Sequence, residues 1–198
     1  TLSDLAAMGG GPVAAVLALT LDARLSRRWL ERFYRGLAAS ALSYRVPIVG
    51  GDIAQADGIV AASLTLLGEA AGPRVVTRTG ARIGDWIYVT GSLGGSLATG
   101  HHHRFTPRLA EGAWLARQSA VRAMMDVSDG LAKDLHALTP GGAQPALVAA
   151  DLPRRRGADL RAALTDGEDY ELVFALARSA DRARFARAWA RAFPRTAL

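Results

Sequence analysis

The sequence has 198 residues, enough for one large domain or two small ones, and half of its residues are hydrophobic. It contains no cysteine, which excludes disulfide frameworks and thiolate metal sites, and no apolar run is long enough to cross a membrane. The net charge of +6 comes from arginines scattered over helix-like segments, which favours solvated helix faces over a nucleic-acid partner and suits a phosphate-bearing small molecule.

The first part of the chain alternates helical and strand-like patterns. In chain order these patterns lie at residues 1–8 (helix), 13–21 (strand), 27–45 (helix), 46–49 (strand) and 59–68 (strand). The run at 46–49 predicts a buried strand that ends at Gly50-Gly51-Asp52. This alternation predicts an α/β layered fold.

A loop rich in glycine, proline and arginine follows at residues 69–84 and indicates a domain boundary. We therefore predict an N-terminal domain at 1–75 and a C-terminal α/β domain at 76–198. The patterns of the second part lie at 86–90 (strand), 96–100 (helix), 107–122 (helix), 123–127 (strand), from 131 (helix), 145–149 (strand), 170–176 (strand) and 181–193 (helix). Neither end of the sequence reads as a complete element, so we expect it to be part of a longer protein, with no signal peptide and a cytoplasmic location.

The stretch AMMDVSDGLAKD, residues 123–134, is the strongest candidate for chemistry. We predict a short strand with Asp126 at its end, and we interpret Asp129 as the cap of a helix that begins at Leu131. Asp126, Ser128 and Asp129 would then crowd at one corner, where a Mg²⁺ ion suits the carboxylates. The alternative is a capped helix with solvated acids. We interpret Asp134 as an ordinary acid on that helix.

Three further stretches of the sequence carry acidic residues that could belong to the same site. Asp4 lies in the first turn of a helix, where capping alone would also explain it. Asp52 follows Gly50 and Gly51 at a strand end, a place where α/β sheets hold ligands. Residues 167–171, GEDYE, place acids around one aromatic, with surface acids as the alternative. Acids at strand ends together with glycines and arginines such as Arg78 predict a Mg²⁺-nucleotide site for phosphoryl transfer.

Seven motifs, spread from residue 2 to about residue 176, occur in an order that resembles the thiamine-monophosphate kinases, a family of the aminoimidazole-ribotide synthetase-like ATP-binding superfamily. The motifs are LSDLAAMGGGP, FYRGL, VGGD, TRTGARIGDWIYVTGSLGGS, RFTPRL, MMDVSDGLAKDL and GEDYEL.

The resemblance implies ATP-dependent phosphorylation of thiamine monophosphate to thiamine diphosphate, with several Mg²⁺ ions. It also implies a two-domain fold whose first domains pair in a homodimer, with their strands completing a shared β-barrel. The family's opening acidic motif and its closing aromatic segment have no counterpart in these residues. The resemblance therefore assigns the ATP side of the site more fully than the substrate side.

The resemblance also implies roles for individual residues. The metal ligands are Asp4, Asp52, Asp126 and Asp129. The ATP contacts are Tyr34, Gly51, Asp52, Arg78 and Ser128. The residues that carry the chemistry are Asp129, Asp126, Asp52 and Arg78, and the substrate acids are Glu168 and then Asp169.

The chemistry that we hypothesise is direct, in-line transfer of the γ-phosphoryl group to the phosphate of thiamine monophosphate. Two alternatives remain open at this point. One is another ATP-dependent enzyme of the superfamily, such as an aminoimidazole-ribotide or selenophosphate synthetase. The other is a non-catalytic nucleotide-binding dimerisation module.

Overall fold

The computed structural model describes residues 1–198. The chain packs as two units, the first made of Thr1–Leu2 and Gly11–Glu69 and the second of Ser3–Gly10 and Ala70–Leu198. Helices and strands are mixed in each unit, so the predicted α/β class is confirmed. The domain limits at 1–75 and 76–198 stay a prediction. No helix combines the length and the apolarity that crossing a membrane requires.

The elements follow one another in an irregular alternation. The helices are α1 (Leu2–Ala7), α2 (Arg27–Ser43), α3 (Ser96–Thr99), α4 (Leu109–Ala116), α5 (Leu131–Leu138), α6 (Leu160–Thr165) and α7 (Arg182–Ala192). The strands are β1 (Gly10–Leu21), β2 (Ile48–Gln55), β3 (Ala61–Ala70), β4 (Trp86–Val89), β5 (Val121–Asp126) and β6 (Leu172–Leu176). Two short 3₁₀ helices cover His101–His103 and Ala149–Asp151.

The first unit is built on a sheet of three strands in the order β2-β1-β3. Strands β1 and β2 are parallel, with Leu17 opposite Gly51 and Ala18 opposite Asp52, and α2 lies between them in the chain. Gly51 has φ +155°, and a Cβ there would lie 1.8 Å from the carbonyl oxygen of Leu17. Glycine is therefore required at this position for the close approach of the two strands.

The strand predicted at 46–49 differs from β2 in both place and burial. β2 begins at Ile48 and continues through Gly50-Gly51-Asp52, and each of its residues is exposed. Its apolar side chains therefore stay accessible in the isolated chain, with Val49 at 62% and Ile53 at 56% exposure. The apolar pattern predicted burial, but it carries no information on which surface covers a strand.

The second unit is a three-stranded antiparallel sheet in the order β4-β6-β5, with helices on both faces. The central strand β6 is buried along its whole length, and its side chains alternate between two apolar clusters. One cluster contains Phe174 and Leu176 with residues of α1, α4 and α7, among them Leu115 and Trp189. The other contains Val173 and Ala175 with Leu131, Leu135 and Ala163 of α5 and α6.

Two predictions for the second unit differ from the structure, and one helix was not predicted. The helix predicted at 107–122 is limited to α4, since the chain enters β5 at Val121. No strand forms at 145–149, where only the 3₁₀ helix Ala149–Asp151 begins. Helix α6 was not predicted, although the side chain of Asp159 caps it by accepting from the N–H of Ala162 at 2.7 Å.

Helix α1 packs closely on α4, which fixes where the first acidic residues lie. A Cβ at Gly112 would lie only 2.1 Å from the carbonyl oxygen of Ala6, so glycine is needed for this approach. Ala6 and Ala7 join the same apolar cluster as Leu115 of α4. The contact brings Ser3, near the start of α1, to the end of β5 at Asp126.

Candidate functional site

Asp126 ends β5 and is almost fully buried, at 8% exposure. The hydroxyl of Ser3 donates a hydrogen bond of 2.6 Å to its Oδ2. Burial raises the pKa of Asp126 above its ordinary value, and the negative charge of Asp4 adds to this rise, while the Ser3 bond opposes it. Asp4 and Asp126 therefore form one acidic corner, although they lie far apart in the sequence.

The loop after β5 is held by Asp134 rather than by Asp129. The backbone N–H groups of Ser128 and Asp129 donate to Oδ2 of Asp134, at 3.0 and 3.1 Å, and Asp134 is 4% exposed. Helix α5 has Gly130 as its N-cap, without a side-chain cap, and the exposed Asp129 accepts from Lys133 Nζ at 2.6 Å. The interpretations of Asp129 as the cap and of Asp134 as an ordinary helix acid are therefore wrong.

The segment 167–171 lies directly against this loop. The N–H of Glu168 donates to the carbonyl oxygen of Ser128, and the N–H of Tyr170 to that of Val127, both at 2.8 Å. Glu168 and Tyr170 have φ +65° and +54°, a backbone conformation that costs a non-glycine residue about 1–3 kcal/mol. The surrounding hydrogen bonds hold this strain in place, and strained backbone of this kind is concentrated at functional sites.

The two predicted substrate acids have different surroundings. Asp169 is buried, and both of its oxygens have partners, the N–H of Gly94 at 2.7 Å and Nη1 of Arg155 at 2.8 Å. Burial raises the pKa of Asp169, and these two partners oppose the rise. Glu168 is half-buried, and its carboxylate accepts from the hydroxyl of Tyr170 at 3.2 Å. The ring of Tyr170 in turn stacks on Phe105, with the ring centroids 4.1 Å apart.

Glu171 belongs to a buried ion-pair network that sequence analysis missed. Nε and Nη2 of Arg108 donate to its two carboxylate oxygens, each at 2.7 Å, and the hydroxyl of Thr90 donates to Oε2 at 2.7 Å. The carboxylate pair raises the pKa of Arg108 still further above its ordinary value. No sequence signal joins Arg108 to Glu171, because they lie on separate motifs.

The remaining predicted residues are exposed. Tyr34 lies on α2 with its ring edge-on to Phe33, and Gly51 and Asp52 lie on β2, all in the first unit. Arg78 lies in the segment between β3 and β4, in the second unit. The second unit thus brings together the motifs around Asp4, Asp126 and Glu168.

The corner offers ligand chemistry that suits Mg²⁺. Carboxylate oxygens such as those of Asp4 and Asp126 are the hard donors that this ion prefers. No group of three or more Asp, Glu or His side chains is arranged to hold a metal ion by itself. Mg²⁺ is commonly bound by one or two carboxylates together with waters and substrate phosphates, so the residues present fit the ion.

Comparison with known proteins places these motifs in a family. Residues 1–70 match the model of the AIR synthase related protein, N-terminal domain. The thiamine-monophosphate kinase of Rhodopirellula baltica is 39% identical over 187 residues, which cover 89% of this chain and 58% of the relative. The chain thus spans less than two thirds of the length of the curated relatives that it matches.

Solved structures give the same result. The thiamine-monophosphate kinase from Stenotrophomonas maltophilia K279a is 31% identical, with a TM-score of 0.79, over 98% of this chain and 69% of the other. The chain belongs to the thiamine-monophosphate kinase family. A second family member, AaThiL complexed with AMPPCP and TMP, has a TM-score of 0.78 and 31% identity over 89% of this chain and 65% of the other. The resemblance predicted from the ordered motifs is confirmed.

Proposed function

We propose that the protein to which this chain belongs transfers the γ-phosphoryl group of ATP to thiamine monophosphate and forms thiamine diphosphate. The observation that carries the proposal is the likeness to AaThiL, a family member complexed with AMPPCP and TMP. The buried acidic corner beside the strained segment 167–171 supports the same activity.

In the proposed reaction, Asp4, Asp52, Asp126 and Asp129 would hold Mg²⁺. When bound, the ion would neutralise part of the negative charge on the γ-phosphate of ATP and on the phosphate of thiamine monophosphate. Arg78 would pair with phosphate oxygens, and the hydroxyl of Ser128 would donate to the nucleotide. The acceptor phosphate is already an anion near neutral pH, so the mechanism requires no general base. Tyr34 and Gly51 complete the proposed nucleotide contacts.

On the substrate side we favour Glu168 over Asp169. Both oxygens of Asp169 already have partners within the chain, whereas Glu168 is only half-buried. A carboxylate complements the positive charge of a thiazolium ring, and the stacked pair of Phe105 and Tyr170 offers an aromatic surface next to it.

The decisive experiment supplies the full-length protein with ATP, Mg²⁺ and thiamine monophosphate and measures thiamine diphosphate by chromatography. We expect product that requires all three additions. Nucleotide binding without any product would favour the non-catalytic dimerisation module. Transfer of the γ-phosphoryl group of ATP to an acceptor other than thiamine monophosphate would favour another enzyme of the superfamily.

We further propose that the first domain pairs with a second copy, the two sets of strands completing a β-barrel. Val49 and Ile53 support this, because both are apolar residues of β2 and are 62% and 56% exposed. An exposed apolar strand is a surface on which another chain can pack.

The exposed face of β2 gives a prediction for the oligomeric state. We expect Ile53→Glu to convert a homodimer into a monomer, because the added carboxylate would be buried without a partner. The control is Ile83→Glu, which changes a 79% exposed isoleucine of the second unit and should leave the dimer intact. Light scattering coupled to gel filtration measures both masses. If Ile53→Glu remains a dimer, β2 does not belong to the interface.

A further inference from the structure

Asp134 is a buried acid to which the proposed chemistry gives no part. It is the fourth residue of α5, and its side chain lies inside the second unit at 4% exposure. One oxygen, Oδ2, accepts two hydrogen bonds, from the N–H of Ser128 at 3.0 Å and from the N–H of Asp129 at 3.1 Å. Because burying a carboxylate is costly, such a group persists only where hydrogen bonds compensate for its lost hydration.

Two consecutive N–H groups that point to one oxygen leave the backbone at 128–129 little freedom to turn. The same stretch is held from its other side, since the carbonyl oxygen of Ser128 accepts from the N–H of Glu168 at 2.8 Å. The side chains are not held in this way. Asp129 is exposed, and its contact with Lys133 is a surface ion pair, which contributes little to the free energy of folding.

We propose that Asp134 is a positioning residue that aims the Ser128 hydroxyl and the Asp129 carboxylate by fixing the backbone that carries them. Asp129 is free to point outwards because Asp134, and not Asp129, satisfies the N–H groups of the loop. The proposal rests on the proposed function in one respect, namely that Ser128 and Asp129 contact nucleotide and metal. Its backbone part is independent of that function.

The backbone part is tested by amide hydrogen exchange of the full-length protein. We expect Asp134→Ala to speed exchange at Ser128 and Asp129, because both N–H groups lose their acceptor. Asp134→Asn keeps a carbonyl oxygen of the same reach and should retain slow exchange. If Asp134→Ala fails to fold, Asp134→Glu replaces it, since the longer side chain displaces the same oxygen. Unchanged exchange in the Ala or Glu variant would overturn the proposal.

The functional part is tested by calorimetric binding of AMPPCP in the presence of Mg²⁺ and by steady-state kinetics. We expect Asp134→Ala to weaken binding of the Mg²⁺-nucleotide by about 10- to 100-fold, the usual effect of removing a group that orients a metal ligand. Asp134→Asn should bind close to wild-type affinity. A loss in Asp134→Asn as large as in Asp134→Ala would show that the charge and not the hydrogen bonds matters, which contradicts the proposal.

A matched control separates positioning from stability. Asp159 also accepts one backbone N–H, as the cap of α6, and has no place in the proposed site. Asp159→Ala should lower the melting temperature without changing nucleotide binding. If Asp134→Ala behaves in the same way, Asp134 has only a structural role. If the wild-type protein forms no thiamine diphosphate, the proposed function fails, and the exchange experiment still decides the role of Asp134 in the backbone.

Discussion

Asp129→Asn is expected to lower kcat by about 100-fold or more, the usual effect of removing one group that stabilises transition-state charge. Asparagine has the same size but offers a neutral oxygen, which binds Mg²⁺ more weakly than a carboxylate does. The fold should be unaffected, because Asp129 is exposed and its one ion pair is with Lys133. The measurement is steady-state kinetics with ATP, thiamine monophosphate and saturating Mg²⁺, with circular dichroism to verify the fold.

Lys133→Met is the control for this variant. It breaks the same ion pair from the other side, and such exposed pairs contribute at most about 1 kcal/mol to the free energy of folding. We expect Lys133→Met to keep its kcat. If Asp129→Asn turns over like the wild type, Asp129 is not one of the metal ligands. If Lys133→Met loses as much kcat as Asp129→Asn, the ion pair and not the metal is the cause of the loss.

Arg108→Met is expected to lower the free energy of unfolding by about 3–5 kcal/mol, the range for breaking a buried ion pair from one side. Glu171 is 3% exposed and would keep only the hydroxyl of Thr90 as a partner. The uncompensated buried charge is the cause of the loss. Urea denaturation of wild type and variant measures the difference.

The chain offers a matched control for this effect. Arg27 and Glu31 also form an Arg–Glu pair, but their side chains are 91% and 50% exposed. Arg27→Met should therefore change the stability by less than about 1 kcal/mol. In the double variant Arg108→Met with Glu171→Gln, part of the lost stability should return, since the charge of Glu171 is removed together with its partner. Equal effects of Arg108→Met and Arg27→Met would contradict the burial argument.

Local patterns predicted much of the fold because they act over a few residues. The helical period at 27–45 and the apolar run at 13–21 predicted α2 and β1 within a few residues. The apolar run at 145–149 gave a false strand because it is short and lies next to no partner strand. Helix α6 has only six residues, too few for periodicity, and only its cap Asp159 carried a signal.

For the site, too, local patterns predicted single residues but not the contacts between residues that lie far apart in the sequence. The motifs predicted Asp126, Ser128, Asp129 and Glu168 as site residues, since each lies at the end of a recognisable pattern, and these roles stay a prediction. Local patterns could not show that the side chain of Asp134 turns back to the loop before its own helix, because a solvated acid in the first turn of a helix would give the same sequence pattern. The bond from Ser3 to Asp126 spans 123 positions and leaves no trace in either motif.

That long span has a consequence for how the protein reaches its fold. Residues 3–10, which carry most of α1, precede the segment Gly11–Glu69 of the first unit in the chain, yet they are part of the second unit. During synthesis, Ala6 and Ala7 emerge before α4 and lack this packing partner until α4 has left the ribosome. Closing a contact over so long a loop is slow, since its entropy is lost before any packing is gained. A fragment that starts at Ala70 would therefore lack part of its own core, and the second unit should be expressed with residues 3–10 joined to it.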